Sequence, residues 1–485
     1  MYEYFKNIID KSSCQSIGAC SIHPSVSALY DIMLGQLREI SFYLVKLKEF
    51  GITNKKINSK CIETLSIFLI NTSFNHQKFL TLVSELQKLK NEIKEKYLLY
   101  CAQKQFPCEI INTNIQIDDS TTISQLIKYA QSKQQNQSAA KQRLFEVITI
   151  FAKLCAIDIV KIKKFEPDFD KYDFEILRFF ALTNGYSIRN EKIIRRIKEF
   201  SEINIEIKEK LYKTLEERYG RKESAQILTS TQKGHCILVS GDDLDELEAL
   251  LTTLEKLDLK EEVNVYTHGP LILAHFYPYF KNNKFLKGHF GSNNAQYDFS
   301  IFPGSILITK NFIQKIDTLY KGEIFSNKII SFERVFDIQN NDYKPVVEAS
   351  LSQNGFLETN KPEVLNVGYE INDIKTILND FCDKEIVIVT SIINELNFLD
   401  EYENKKIINL NCPLENDLLI EAVKKLKEKN VKISVFNSQC NLESLNSVLF
   451  LLNKEISLYF VNCSSFLINP HVIESLKQDF DVKII

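Results

Sequence analysis

No tryptophan occurs in this chain of 485 residues, and glycine and proline are scarce at 14 and ten. Lysine, isoleucine, asparagine and phenylalanine are abundant in their place, a bias expected of an AT-rich genome rather than of a function. No apolar run approaches the roughly 20 residues that span a bilayer, so no membrane partner is expected. The opening MYEYFKNIIDKSS lacks a long apolar core and a small-residue cleavage site, which argues against secretion and for a cytoplasmic protein. Charge of one sign is also lacking. With 60 basic and 63 acidic residues the net charge is −3, which gives no electrostatic case for nucleic acid. The 11 cysteines are an odd number at modest density, and without a secretory signal free thiols are the default.

At this length two to four domains are expected. Residues 24 to about 225 read as helix almost throughout. SVSALYDIMLGQLREISFYLVKLKEFG repeats apolar residues at i, i+3, i+4 and i+7 and stops at Gly51, a natural C-cap. Two segments interrupt the period: PCEIINTNIQIDDSTT is β-rich and polar, and SKQQNQSAAKQ reads as a linker or the start of a new helix. From about His235 short apolar strands alternate with helices. HCILVS, VNVYTHG, SILITKN and KIISFERV form a first series, and EIVIVTS, KIINLNC, VKISVFN, SLYFVN and VKII a second. The pattern predicts an α+β multidomain protein: an all-α helical-bundle domain over 1–228, then α/β domains over 229–365 and 366–485 with mostly parallel sheets.

Residue types alone point to little chemistry. SGDDLDEL carries one glycine and four acids where a strand turns into a helix; those carboxylates repel phosphate and suit the positive helix end, so capping is the expected role. His268 and His275 are expected in core hydrogen bonds. An acid–base group of Asp242, His268 and Asp243 lacks a partner nucleophile. Cys61, Cys101, Cys155, Cys236 and Cys382 sit in apolar patterns and read as small buried hydrophobes.

GDDLDELEAL, VNVYTHGPLILAHFYP and FPGSILITKNFIQ, in this order, resemble GHDL, VYTHGEMLPAHGYP and FPGPILMTTNCIQ of the hybrid-cluster (prismane) proteins, iron–sulfur enzymes known as hydroxylamine reductases. The resemblance runs from about Cys14 to VIESLKQDF and implies two Rossmann-like α/β domains behind the helical one. In that family the His, Glu and Cys of the three segments are ligands of the hybrid iron–sulfur–oxygen cluster. Here the equivalent positions hold Asp242, Pro270 and Phe312. The family's GGCDG turn corresponds to Thr390 and Ser391. Its GQCND strand end corresponds to Cys412 in NLNCPLEND, with Cys440 of SQCN as the alternative match, and its LSWYEQKA places Asn441 at a Glu ligand and Glu443 at a nearby Lys. At most one or two of seven ligands remain.

Family members also begin with two cysteine pairs, of which only the second has a counterpart, Cys14 and Cys20 in CQSIGACSIHPSVSALYDIML. Two thiolates do not complete a [4Fe–4S] cluster. A vestigial reduced pair, a cluster shared by two chains, a zinc site helped by His23 and a disulfide remain open. The resulting expectation is a degenerate homologue with no cofactor, acting as a scaffold for an unknown protein partner or as a homodimer. The rival is an iron–sulfur oxidoreductase of hydroxylamine or a related nitrogen oxide, with Asp242, Cys412 and Cys440 as candidate ligands. A redox regulator using Cys14 and Cys20 is the third reading.

Overall fold

The computed structural model describes residues 24–70, 77–111, 122, 124–125, 128, 138–185, 187–257, 259, 263–291, 295–309, 320, 322–327, 335–367, 385–390, 406–409, 416–428, 432–437, 457–460, 470–480 and 483–484. Contacts divide the chain into two compact units. One comprises Met1–Leu69, Ser73–Lys208 and Cys440–Ile485, the other Ile70–Thr72 and Glu209–Gln439.

The N-terminal part of the chain is helical: α1 (Pro24–Glu49), α2 (Lys55–Ile70), α3 (Gln77–Lys104), α4 (Ala139–Phe165), α5 (Asp173–Ala181) and α6 (Asn190–Tyr219). In α1 the period-3.6 stripe Leu29, Met33, Leu37, Ile40, Leu44 and Leu47 is buried. The helix stops where the sequence places its cap. Gly51 takes φ +80°, its N–H donates to the Lys48 carbonyl at 2.9 Å, and the Ile52 N–H donates to the Leu47 carbonyl at 3.0 Å. That pair of bonds satisfies carbonyls the helix leaves open, and glycine adopts the left-handed turn without a Cβ penalty. α1 packs on α3 and α5, and α4 on α5. Charged groups inside these helices are paired: Lys208 meets Asp158 at 2.8 Å and Lys163 meets Asp173 at 2.5 Å.

After the end of α6, the other unit continues with β1 (Ala225–Leu228) and β2 (His235–Ser240), followed by α7 (Leu244–Lys256) and β3 (Val263–His268). A 3-10 turn (Gly269–Phe276) and the short α8 (Pro278–Lys281) lead to β4 (Leu286–His289), α9 (Ala295–Ile301), β5 (Ser305–Ile308), β6 (Ile324–Ser326), β7 (Val335–Asp337), α10 (Lys344–Leu351) and β8 (Val364–Val367). Six strands form one sheet in the order β4-β3-β2-β5-β6-β7, and each described pairing is parallel. The chain runs outward from β2 through β3 to β4, then returns to the other side of β2 for β5, β6 and β7. This is the order of a doubly wound sheet, with its switch point between β2 and β5. Burial follows from it. All six residues of β3 and all four of β5 are buried, as expected when both faces are covered. Cys236, Leu238, Tyr266, Phe299, Phe302, Ile306 and Ile308 form the core on one face.

Further along, β9 (Glu385–Thr390) pairs in parallel with both β10 (Lys406–Asn409) and β11 (Lys432–Asn437), with α11 (Asn416–Glu428) between the last two in sequence. In the first unit, β12 (Ser457–Phe460) pairs in parallel with β13 (Lys483–Ile484), and α12 (Pro470–Phe480) packs on α4. Two expectations need adjustment. The described part of KIISFERV contributes only Val335 to a strand, and the neighbouring strand lies earlier, at β6; residues 328–334 lie outside the described residues. The described part of PCEIINTNIQIDDSTT, up to Ile111, carries no strand: its amide groups bond to tyrosine side chains instead of a sheet. Cys61, Cys101, Cys155 and Cys236 are fully buried free thiols. Cys382 lies outside the described residues.

Candidate functional site

Parallel doubly wound sheets bind ligands beyond the carboxyl ends of their strands, at the switch point. Here that point is the mouth between β2 and β5, where the sequence reads Ser240-Gly241-Asp242-Asp243 on one side and Thr309 on the other. Thr309 stitches it together. Its N–H donates to the Ser240 carbonyl at 2.8 Å, and its Oγ1 accepts from the Asp242 and Asp243 N–H groups at 3.1 and 3.3 Å. The expected capping role of the acids is therefore refined. Asp243 is the N-cap residue of α7 but its side chain makes no capping bond, while Asp245 and Glu246 occupy the first turn, where the helix dipole favours them. The N–H groups just before the helix are satisfied by a threonine from β5.

Next to this mouth, β3 ends at His268, which is buried. Its Nδ1 lies 2.8 Å from Ser240 Oγ and its Nε2 lies 3.3 Å from Asp298 Oδ2, and Phe299 packs edge-on at 5.3 Å. With the ring hydrogen on Nε2, His268 donates to the Asp298 carboxylate and accepts from the Ser240 hydroxyl. Gly291 closes the other side. At φ +92° it sits so near that a Cβ would lie 2.7 Å from Asp298 Cγ and 2.9 Å from His268 Cδ2.

One residue back, Thr267 Oγ1 lies 2.9 Å from both His275 Nε2 and His289 Nδ1. Burial holds His275 neutral, pushing its pKa down to about 4. His289 falls further, to about 3, through burial first and then the neighbouring His268 and His275.

Serine, histidine and aspartate together suggest a hydrolytic triad, but the surroundings do not support one. Ser240 is completely buried, so no acyl group reaches its oxygen. The backbone N–H groups that could steady an oxyanion after it are engaged: Gly241 donates to the His268 carbonyl at 3.4 Å, and Asp242 and Asp243 donate to Thr309. The three side chains brace the ends of β2 and β3 against α9. The acid that pairs with His268 is Asp298, not Asp242 or Asp243. Sequence reasoning missed Ser240, Asp298, His289 and Thr309. The period-2 pattern of β2 and β3 could have aligned Ser240 with His268, which are partners in the sheet register, but nothing local marks Asp298 or Thr309.

Of the ligand-equivalent positions, the structure describes Asp242 and Pro270. Asp242 follows Gly241 at the mouth, where a carboxylate could hold iron. Pro270 opens the 3-10 turn after Gly269, whose φ is +64°, and its ring carries no donor atom. The neighbouring His268 and His275 are committed to Ser240, Asp298 and Thr267. Among the described residues no three His, Cys, Asp or Glu side chains are arranged to hold a metal ion. Of the two described positions that the resemblance assigns to ligands, Asp242 thus offers a donor and Pro270 offers none. Phe312, Ser391, Cys412, Cys440, Asn441 and Glu443 lie outside the described residues, as do Cys14 and Cys20.

Residues 9–441 match the Prismane/CO dehydrogenase family. The chain belongs to that family. The segments THG, AHFYP and FPGSIL lie within the matched range. A relative from Thermodesulfovibrio yellowstonii, named hydroxylamine reductase, is 28% identical over 385 residues, covering 78% of this chain and 68% of that one. Another protein of that name, from Syntrophobacter fumaroxidans, is 28% identical over 372 residues, covering 74% and 66%. The chain spans about two thirds of the length of these relatives.

Proposed function

We propose that this chain is a prismane-family homologue that keeps the architecture without the hybrid cluster, is not catalytic, and serves as a binding or assembly scaffold. The observation that carries this reading is Pro270. It stands where the family frame has a carboxylate ligand, and a pyrrolidine ring has no atom to offer iron. The carboxyl edge beside it supports the same reading, because Ser240, His268 and Asp298 are hydrogen-bonded to one another, as are Thr267, His275 and His289. The proposed layout is a helical bundle over 1–228, with Rossmann-like domains over 229–365 and 366–485. Its partner is a second copy of the chain or another protein, in the cytoplasm; no described helix is long and apolar enough to cross a membrane.

The names of the relatives favour a second reading, an oxidoreductase of hydroxylamine with a remodelled metal site built on Asp242, Cys412 and Cys440. One experiment separates the two. The protein is expressed with cluster-assembly support, purified without oxygen, and assayed for iron and acid-labile sulfide per chain. The scaffold reading expects values near zero in a folded, monodisperse protein. Several irons per chain with matching sulfide would sink it, and hydroxylamine reduction with a reduced dye becomes the next assay.

A further inference from the structure

Helix α3 ends at Lys104, and the chain reverses at Gln105, which takes φ +53°. The Phe106 N–H donates to the Cys101 carbonyl at 2.9 Å. Residues 106–111 then run back beside the helix and are fastened twice to core side chains. The Glu109 N–H donates to Tyr97 Oη at 3.2 Å, and the Ile111 N–H donates to Tyr43 Oη at 3.3 Å. Both tyrosines are buried. This strap, anchored by Phe106 on the Cys101 carbonyl and by Glu109 on Tyr97, carries Cys108 alongside Cys101, whose thiol opposes its ionisation. Cys101 is fully buried, whereas Cys108 is half-buried and within reach of solvent.

We propose that Cys101 and Cys108 form a reversible dithiol–disulfide couple, oxidised by hydroperoxides, whose closure joins the 106–111 strap covalently to the end of α3. Cys108 reacts first, being the thiol a solute can reach. Its thiolate sulfur takes one oxygen of hydrogen peroxide, and the other oxygen leaves as water after protonation. The sulfur of Cys101 then displaces the sulfenic oxygen of Cys108, which departs as a second water with the Cys101 proton. Two thiols and one peroxide become one disulfide and two waters, and a reducing dithiol reverses the change. Cys108 holds its proton up to about 11, first because of the Cys101 thiol beside it and then because of partial burial. Its thiolate is therefore scarce at neutrality, and linkage accelerates by about tenfold per pH unit as pH rises toward that value.

Lys104 lies between the two cysteines, so trypsin separates them into the peptides 97–104 and 105–128. The reduced full-length chain is exposed to hydrogen peroxide, alkylated with N-ethylmaleimide, denatured and digested without reductant. The expected product is these two peptides joined and two hydrogens lighter than their sum, parted by dithiothreitol, and formed faster at pH 9 than at pH 7. In Cys108→Ser that product vanishes while alkylation of Cys61, Cys155 and Cys236 is unchanged. The proposal is overturned if both peptides return separately as maleimide adducts after other thiols have oxidised. It is equally overturned if Cys108 is recovered as sulfinic acid beside an alkylated Cys101. Iron content does not enter this test, so its outcome is independent of the scaffold reading.

Discussion

His268 and Thr267 are neighbours on β3, and strand alternation sends their side chains to opposite faces of the sheet. Two polar networks result, each seeded by one residue of YTHG, and His289 of the second feels the charge of His268 in the first. His268 ties β2 to α9 through Ser240 and Asp298, so His268→Ala strands two buried polar groups and opens a cavity. A loss of about 3 kcal/mol in unfolding free energy is expected in urea titrations; no measurable loss would mean that the network is ornamental. Thr267 holds two neutral imidazoles. An unfolded histidine titrates near 6.5, and His275 in the fold near 4, so between these values the unfolded chain binds more protons. Stability from this residue is complete above pH 6.5 and is lost as pH falls toward 4, with about 2 kcal/mol gone by pH 5. His275→Gln should flatten the stability difference between pH 7 and pH 5 by that amount. These roles were half legible: burial and hydrogen bonding of His268 and His275 follow from apolar flanks. The acid that answers His268 lies 30 residues away in a short helix of ordinary composition, and sequence spacing cannot bring it near.

Among the elements, helix α7 shows how a start signal can be borrowed. Acids crowd its first turn, as the sequence displays, yet the N–H groups ahead of it are satisfied by Thr309 at the end of β5. Thr309→Val keeps the shape and removes the acceptor, so a loss of about 1–2 kcal/mol is expected by chemical denaturation. A change below the measurement error would show that water replaces the hydroxyl. The cap at Gly51 was readable because all its parts lie within five residues. The strap at 106–111 was not. Its polar, β-favouring composition suggests a strand, but its partners are the hydroxyls of Tyr43 and Tyr97, which no local pattern announces. Cys101, correctly read as buried, owes its further significance to a thiol delivered by that strap.

Across the whole molecule, helices first and alternating strands after were evident from periodicity, and the family frame from three motifs in register. Strand order was not. Nothing in HCILVS says that it becomes the strand flanked by β3 and β5, because order is decided by crossovers packing on both faces. The division by contacts also follows space more than sequence. Residues Cys440–Ile485 belong with the N-terminal helices, where Leu476 of α12 is buried and Arg143 of α4 donates to Gln478 at 2.6 Å. Removing residues 470–485 should therefore loosen α4 more than the parallel sheet. Hydrogen exchange of peptides from 139–165 should rise severalfold while β2 and β3 stay protected; uniform protection would refute the coupling.

That return contact sets a timetable during synthesis. Arg143 and Gln478 are separated by 335 positions, so α4 leaves the ribosome long before the helix that covers it exists. At about 5–20 residues per second the wait is tens of seconds. During it the face of α4 that packs on α12 lacks that partner, and whatever covers it meanwhile must leave before the fold closes.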